Sequence, residues 1–135
     1  MRLYAKDHTW VEPAGTQARV GISEFAQAEL GDIAYVELPQ PGKPVLRGEV
    51  VCTVDSLKSS SEIYAPVSGV VTEINSVLSA EENCTLVNRD PLGDGWLVVI
   101  EMRNQDELKL LLTEEAYISY TRGEPAPGEG TVTSS

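Results

Sequence analysis

The feature that most constrains the fold of this chain is a pair of alternating apolar runs set close together around a short polar link. Val50, Cys52 and Val54 fall on one face of the first run, and Ile63, Ala65 and Val67 on one face of the second. Residues two apart on an extended chain share a face, so each run describes a half-buried strand. The link Ser56-Leu57-Lys58-Ser59-Ser60-Ser61 is rich in small polar residues that let a chain reverse, which predicts an antiparallel hairpin. Lys58 falls at or beside its tip. A lysine at a turn is ordinarily just a solvated charge, but this one has no Lys or Arg neighbour between Arg47 and Arg89.

The remaining chain reads as short strands separated by turn signals. Residues 3–10 mix apolar and charged side chains around His8, the single histidine, which beside Trp10 reads as structural. Glu12-Pro13-Ala14-Gly15 predicts a turn and residues 16–22 a strand, with Ala18, Val20 and Ile22 on one face. Ser23 is placed to cap a helix of about two turns, with Glu24 in its first turn and Gly31 at its end. A strand follows over residues 32–38, and the prolines of residues 39–44 exclude a regular ladder. Pro66 to Gly69 kinks the chain into a strand at residues 70–74 that pairs locally. Leu86-Val87 reads as a short extended piece between polar loops, and residues 96–102 as a further strand. Asn104 and Glu107 have the spacing of a capping box before Leu108, Leu111 and Leu112, and Thr113 is a cap for a last turn carrying Tyr117 and Ile118. The pattern is mostly β with minor α: two small antiparallel sheets packed as a flattened barrel or sandwich, a helix near 23–30 and helices near 105–121. Residues 124–135, rich in Pro, Gly, Ser and Thr, read as a disordered tail to a domain spanning 1–123.

Composition excludes several functions. With 10 Lys plus Arg against 21 Asp plus Glu, the net charge of −11 disfavours nucleic acid and anionic membrane surfaces and favours basic partner faces. No apolar run approaches the roughly 20 residues of a membrane helix and no secretory signal opens the chain, so a cytoplasmic location is expected. Cys52 and Cys84 suit neither a disulfide framework nor a zinc site and read as inert thiols. One histidine, two scattered cysteines and no phosphate-cradling glycine loop assemble no catalytic site and no metal site.

The segment Asp55-Ser56-Leu57-Lys58-Ser59-Ser60-Ser61-Glu62-Ile63-Tyr64-Ala65-Pro66, with Val67-Ser68-Gly69 after it, resembles the lipoyl-attachment segment of the H-protein family of the glycine cleavage system. Other blocks match in the family's order: residues 4–10, Val20-Gly21-Ile22 through Gly31-Asp32, Val36-Glu37-Leu38-Pro39, and Leu86-Val87-Asn88 with Asp90-Pro91 and Gly95-Trp96. The likeness covers residues 3–122.

That resemblance implies a barrel-sandwich hybrid fold with the lysine hairpin at one end, and a carrier that has no catalytic site of its own. It implies lipoic acid held covalently on Lys58, Glu62 and Asp55 as recognition or flanking positions, and Asp7 and Thr9 as arm contacts. The implied partners are glycine decarboxylase, a folate-dependent aminomethyltransferase, dihydrolipoyl dehydrogenase, and a lipoate ligase or lipoyl transferase, all served by a monomer. The chain departs from the family in two places. His-Glu-Trp has become His8-Thr9-Trp10, losing a carboxylate for which Asp7 is a substitute, and Glu-Ser-Val-Lys has become Asp55-Ser56-Leu57-Lys58. Both changes bear on the cargo more than on the carrier role. They leave open an H-like lipoate-binding protein that carries sulfur or electrons for a heterodisulfide-reductase-like sulfur-oxidation pathway. A non-catalytic partner-binding or lipoyl-relay module is also open. Biotin carriage is disfavoured, because Leu57 and Ser59 stand where methionines typically flank a biotinyl lysine.

Overall fold

The computed structural model describes residues 2–121. In chain order it contains β1 (Leu3–Tyr4), β2 (Thr9–Ala14), β3 (Gln17–Ile22), α1 (Glu24–Leu30), β4 (Ile33–Glu37), β5 (Pro44–Val45) and β6 (Val50–Ser56). β7 (Ser60–Tyr64), β8 (Gly69–Ile74), α2 (Leu86–Arg89), β9 (Val98–Met102), β10 (Leu112–Thr113) and α3 (Glu114–Thr121) complete the order. All strand pairings are antiparallel, in one sheet ordered β10-β1-β2-β3-β9-β8-β5 and a second ordered β4-β6-β7. The two-sheet, mostly β architecture is the one expected.

The alternation in the strands explains the packing. Val20, Ile22, Val71 and Ile100 of the larger sheet and Val36, Val54 and Ile63 of the smaller one enter the same buried cluster. Each such side chain, fully removed from water, contributes about 1.5–3 kcal/mol. Cys52 and Cys84 are also in this core and unpaired. Burial pushes the Cys52 thiol up to about 12 and raises that of Cys84, which keeps both protonated. A second cluster joins Tyr4, Trp10 and Tyr117, with the Tyr4 and Tyr117 rings stacked at 4.2 Å. The fully buried Trp10 donates its indole N–H to the Pro91 carbonyl at 2.9 Å. Gly21, its cross-strand partner, must be a glycine, because a Cβ there would come within 2.6 Å of the indole ring.

Several local expectations are corrected. Glu12, Pro13 and Ala14 continue β2 instead of turning. Pro13 is tolerated because β1 reaches only to Trp10 and Val11, so the outer edge of β2 beyond them needs no proline N–H. Pro44 likewise joins a two-residue strand. β8 does not pair with the hairpin that precedes it, but enters the larger sheet between β9 and β5. Leu86-Val87 is helical and opens α2, with Val87 buried in the core cluster that also contains Cys84 and Leu78. The expected helices near 105–121 resolve into a 3-10 helix at Gln105–Leu110, the short strand β10, and α3. Asn104 caps as expected through the Asp106 N–H, but Glu107 does not reach back to it. Its carboxylate accepts from the Ser68 N–H at 2.6 Å and the Ser68 hydroxyl at 2.9 Å, tying the segment to the kink after the hairpin. Thr113 caps α3 through the Ala116 N–H. The expected tail over residues 124–135 and the domain boundary at 123 lie outside the described residues.

Candidate functional site

The hairpin predicted around Lys58 is formed by β6 and β7, with Thr53 opposite Glu62, Val54 opposite Ser61 and Asp55 opposite Ser60. Its tip is tighter than the polar link suggested, since both strands run into the serines. The Ser56 N–H donates to the Ser59 carbonyl at 2.7 Å, and the Ser56 hydroxyl accepts from the backbone N–H groups of Lys58 and Ser59. A small hydroxyl side chain at this position therefore closes the reversal from within. The Asp55 carboxylate accepts from the Ser60 hydroxyl across the pair, so it braces the hairpin just below the tip. The Leu57 N–H donates to the Asp32 carbonyl at 3.0 Å, which moors the tip to the chain leaving α1.

Lys58 is exposed, and its amine makes no hydrogen bond or ion pair among the described residues. Its stem lies over Gly31, where a Cβ would come within 3.2 Å of Cε and 3.8 Å of Nζ. Gly31 ends α1 at φ 83° and ψ −156°, a conformation that only glycine adopts without strain, and its N–H bonds to the Gln27 carbonyl. A glycine here both stops the helix and clears the surface on which the lysine rests. The Asn88 side chain fastens the same corner. Its Oδ1 accepts from the Ile33 N–H, and its Nδ2 donates to Gln27 Oε1 and to the Gly31 carbonyl, each at 2.8 Å.

The other end of α1 is held by a buried polar group. Ser23 Oγ accepts from the Ala26 N–H as the expected cap, and it shares a 2.7 Å hydrogen bond with the Tyr117 hydroxyl. That hydroxyl is also 2.7 Å from His8 Nδ1. His8 stacks on Phe25 with ring centroids 4.4 Å apart, at the positive φ of 74° that turns the chain between β1 and β2. The histidine is thus a structural link between the first hairpin, α1 and α3, as the sequence suggested.

Between α1 and β7 lies a groove of about 380 Å³. Ala26, Glu29 and Leu30 form the helical wall, and Ser61, Glu62, Ile63 and Tyr64 form the strand wall. Asp7, His8 and Thr9 close the far end, with Ile22 contributing apolar surface and Ser59, the neighbour of Lys58, at the near end. Among the described residues no Lys or Arg lines it, while three carboxylates do. Glu62 accepts from the Tyr64 hydroxyl at 3.2 Å, and this hydrogen bond, with the Glu62 charge, raises the Tyr64 phenol above its ordinary value. Asp7 Oδ1 accepts from the Thr9 N–H at 3.1 Å, and Thr9 is only 2% exposed. The Glu29 carboxylate makes no hydrogen bond or ion pair among the described residues.

Of the residues singled out from the sequence, the structure gathers Glu62, Asp7 and Thr9 around one groove that opens beside Lys58. Asp55 is absent from its lining and is spent on the hairpin. Sequence reasoning missed Glu29 and Asn88. Glu29 gave no signal, because a carboxylate on a short exposed helix is ordinary. Asn88 stood inside a matching block, but only the fold brings it against residues 55 to 61 positions away.

A family model described as glycine cleavage H-protein matches residues 2–124 of this chain. The glycine cleavage system H protein of Thermotoga maritima is 44% identical over 117 residues, covering 87% of this chain and 93% of that protein. One from Thermus thermophilus is 46% identical over 116 residues, covering 86% of this chain and 89% of that protein. The crystal structure of a glycine cleavage system H protein from Mycobacterium marinum superposes with a TM-score of 0.76 at 34% identity, over 90% of this chain and 96% of that one.

Proposed function

The chain belongs to the glycine cleavage H-protein family, and on that premise we propose that it is the lipoyl carrier of a glycine cleavage system with Lys58 as the attachment point. The observation that carries this is the Lys58 amine, exposed and without a hydrogen bond or ion pair among the described residues, at the tip of a hairpin whose backbone is pinned on both sides. A carrier needs a mobile arm on a fixed base, and the Ser56 hydroxyl, the Asp55 to Ser60 pair and the Leu57 to Asp32 bond supply the base. Acylation of the lysine removes its charge and adds an apolar stem, and the lipoyl dithiolane supplies the redox and group-carrying chemistry.

The residues around the hairpin fit such a group. Ala26, Leu30, Ile22 and Ile63 give the groove an apolar surface for the stem, and Thr9 and Tyr64 place polar atoms along it. Asp7, Glu29 and Glu62 make it attractive to a cation, as the aminomethyl cargo of glycine cleavage is when protonated. Glu29 supports this reading most directly, since its carboxylate makes no hydrogen bond or ion pair among the described residues and adds a third negative charge to the groove. The groove thereby favours aminomethyl cargo over sulfur, which needs no counter-charge. In this reading the chain holds and presents its arm while the chemistry runs on glycine decarboxylase, the aminomethyltransferase and dihydrolipoyl dehydrogenase, after a lipoate ligase or lipoyl transferase has loaded it. The acidic surface suits basic partner faces.

Intact-mass measurement on protein incubated with lipoate and a lipoate ligase is the test. Wild type gains one lipoyl group and Lys58→Arg gains none. Only the lipoylated form then supports glycine-dependent bicarbonate exchange with glycine decarboxylase. A Lys58→Arg variant that still gains the group overturns the assignment of the lysine, and lipoylated protein silent with the decarboxylase overturns the cargo.

A further inference from the structure

The Lys58 stem lies over the corner at which α1 becomes β4. Ile33 of that corner is paired with Ser56 at the end of the β4–β6 ladder, and two further contacts reach the two residues before it. The lysine stem rests over Gly31, and the Leu57 N–H is bonded to the Asp32 carbonyl. The position of the amine therefore depends on how firmly this corner is held. Gly31 and Asp32 have no buried side chain to hold them, and none of the α1 residues is fully buried.

Buried Ile33, paired with Ser56, anchors the β4 side of the corner, and Asn88, from a four-residue helix remote in sequence, ties down the residues before it. Its carboxamide contacts the corner on both sides of Asp32: Nδ2 donates to the Gly31 carbonyl before it, and Oδ1 accepts from the Ile33 N–H after it. The second Nδ2 donor goes to Gln27, one turn earlier in α1. A carboxamide supplies two N–H donors and an acceptor on one plane, and those are the groups spent here. An aspartate keeps the acceptor but turns a carboxylate toward two oxygen acceptors, and an alanine supplies nothing.

We propose that Asn88 is a positioning residue for the Lys58 hairpin: it fixes the corner from which the tip is suspended, and so sets how well the amine is presented to the enzyme that lipoylates it. The inference rests on Lys58 being the lipoylated residue. It needs no contact between Asn88 and the arm. Loss of the carboxamide frees the Asp32 carbonyl to move, loosens the Leu57 bond, and spreads the amine over more positions, of which fewer fit an active site that demands close placement.

The test compares Asn88→Ala and Asn88→Asp with Tyr117→Phe, which loosens the opposite end of α1 and serves as the control for stability. Lipoylation by a lipoate ligase is followed by intact mass well below the unfolding temperature of every variant, and hydrogen exchange is read at the Leu57 amide. Both Asn88 variants are expected to lower kcat/KM for lipoylation roughly fivefold or more, with faster Leu57 exchange, while Tyr117→Phe changes neither. An Asn88→Ala protein lipoylated at the wild-type rate overturns the proposal. So does a Tyr117→Phe protein slowed as much as Asn88→Ala, since the effect is then general stability. Wild-type chain that takes no lipoate at all overturns the underlying assignment of Lys58, a result distinguishable from either.

Discussion

The two ends of α1 solve the same problem by different means, and the difference separates what holds the fold from what presents the site. At the N-terminus, Ser23, Tyr117 and His8 form a chain of short hydrogen bonds in which Ser23 is 2% and Tyr117 6% exposed. At the C-terminus, Gly31 and Asp32 meet the hairpin tip in the open, through one backbone bond and one lysine stem lying on a glycine. The buried end is over-determined by packing, because Phe25 stacks on His8 and Tyr4 on Tyr117. The exposed end is determined by backbone conformation, by Asn88 and by the pairing of Ile33 with Ser56 just beyond it. The attachment proposed at Lys58 benefits from this division, since the amine has to be placed accurately and still be reachable from solvent.

Perturbations can break the comparison, and the largest stability effect is expected at the exposed end. Gly31→Ala forces a residue with a Cβ into φ 83° and ψ −156°, which costs about 1–3 kcal/mol, and it crowds the lysine stem. A thermal unfolding midpoint several degrees lower is expected, together with slower lipoylation of Lys58, measured by calorimetry and intact mass. A variant as stable as wild type contradicts the role given to this corner.

At the buried end, Tyr117→Phe removes the hydroxyl shared by His8 and Ser23 and is expected to cost about 1 kcal/mol in denaturant titrations, with lipoylation unchanged. It also carries a pH signature. Burial raises the Tyr117 phenol above its ordinary value of 10.0, although the Ser23 hydrogen bond pulls it down. The unfolded chain gives up this proton first as pH rises, so the stabilisation is complete below about pH 10 and is lost as pH climbs through the higher folded value. Tyr117→Phe should therefore flatten the fall in stability above pH 10. The flattening is partial, because Tyr4, its stacking partner, is raised by burial as well.

The smallest expected change in stability is Ser56→Ala. The bonds it removes, accepted from the Lys58 and Ser59 N–H groups and donated to the Ser59 carbonyl, are exposed and open to replacement by water, so unfolding should shift by no more than about 0.5 kcal/mol. Its effect should appear instead in faster hydrogen exchange at the tip. A large loss of stability there would mean that the hairpin tip supports the fold as well as the site.

How far the sequence can be read follows the range of the interactions involved. The Lys58 hairpin is legible because alternation and a polar reversal are local properties, and α1 because Ser23 and Gly31 act within one turn of its ends. Glu107 misleads, because its spacing from Asn104 suits a local cap but Ser68 offers it two donors across the fold. Leu86-Val87 misleads because two apolar residues carry too little pattern to distinguish a strand from one helical turn. Asp55 lies near the lysine in the sequence, yet only the register of β6 with β7 gives it to Ser60.

By itself, the sequence determined which lysine stands alone on a turn, which faces of the strands are buried, and which residues begin and end the first helix. Those choices depend on side-chain chemistry and backbone preference within a few residues. Only the tertiary structure decided that the turn leans on Gly31 and Asp32, that Asn88 holds them, and that Asp7, Glu29 and Glu62 face one groove. Each of those facts joins segments far apart in the chain, and such contacts are fixed by how two sheets and a helix pack, which no local pattern encodes.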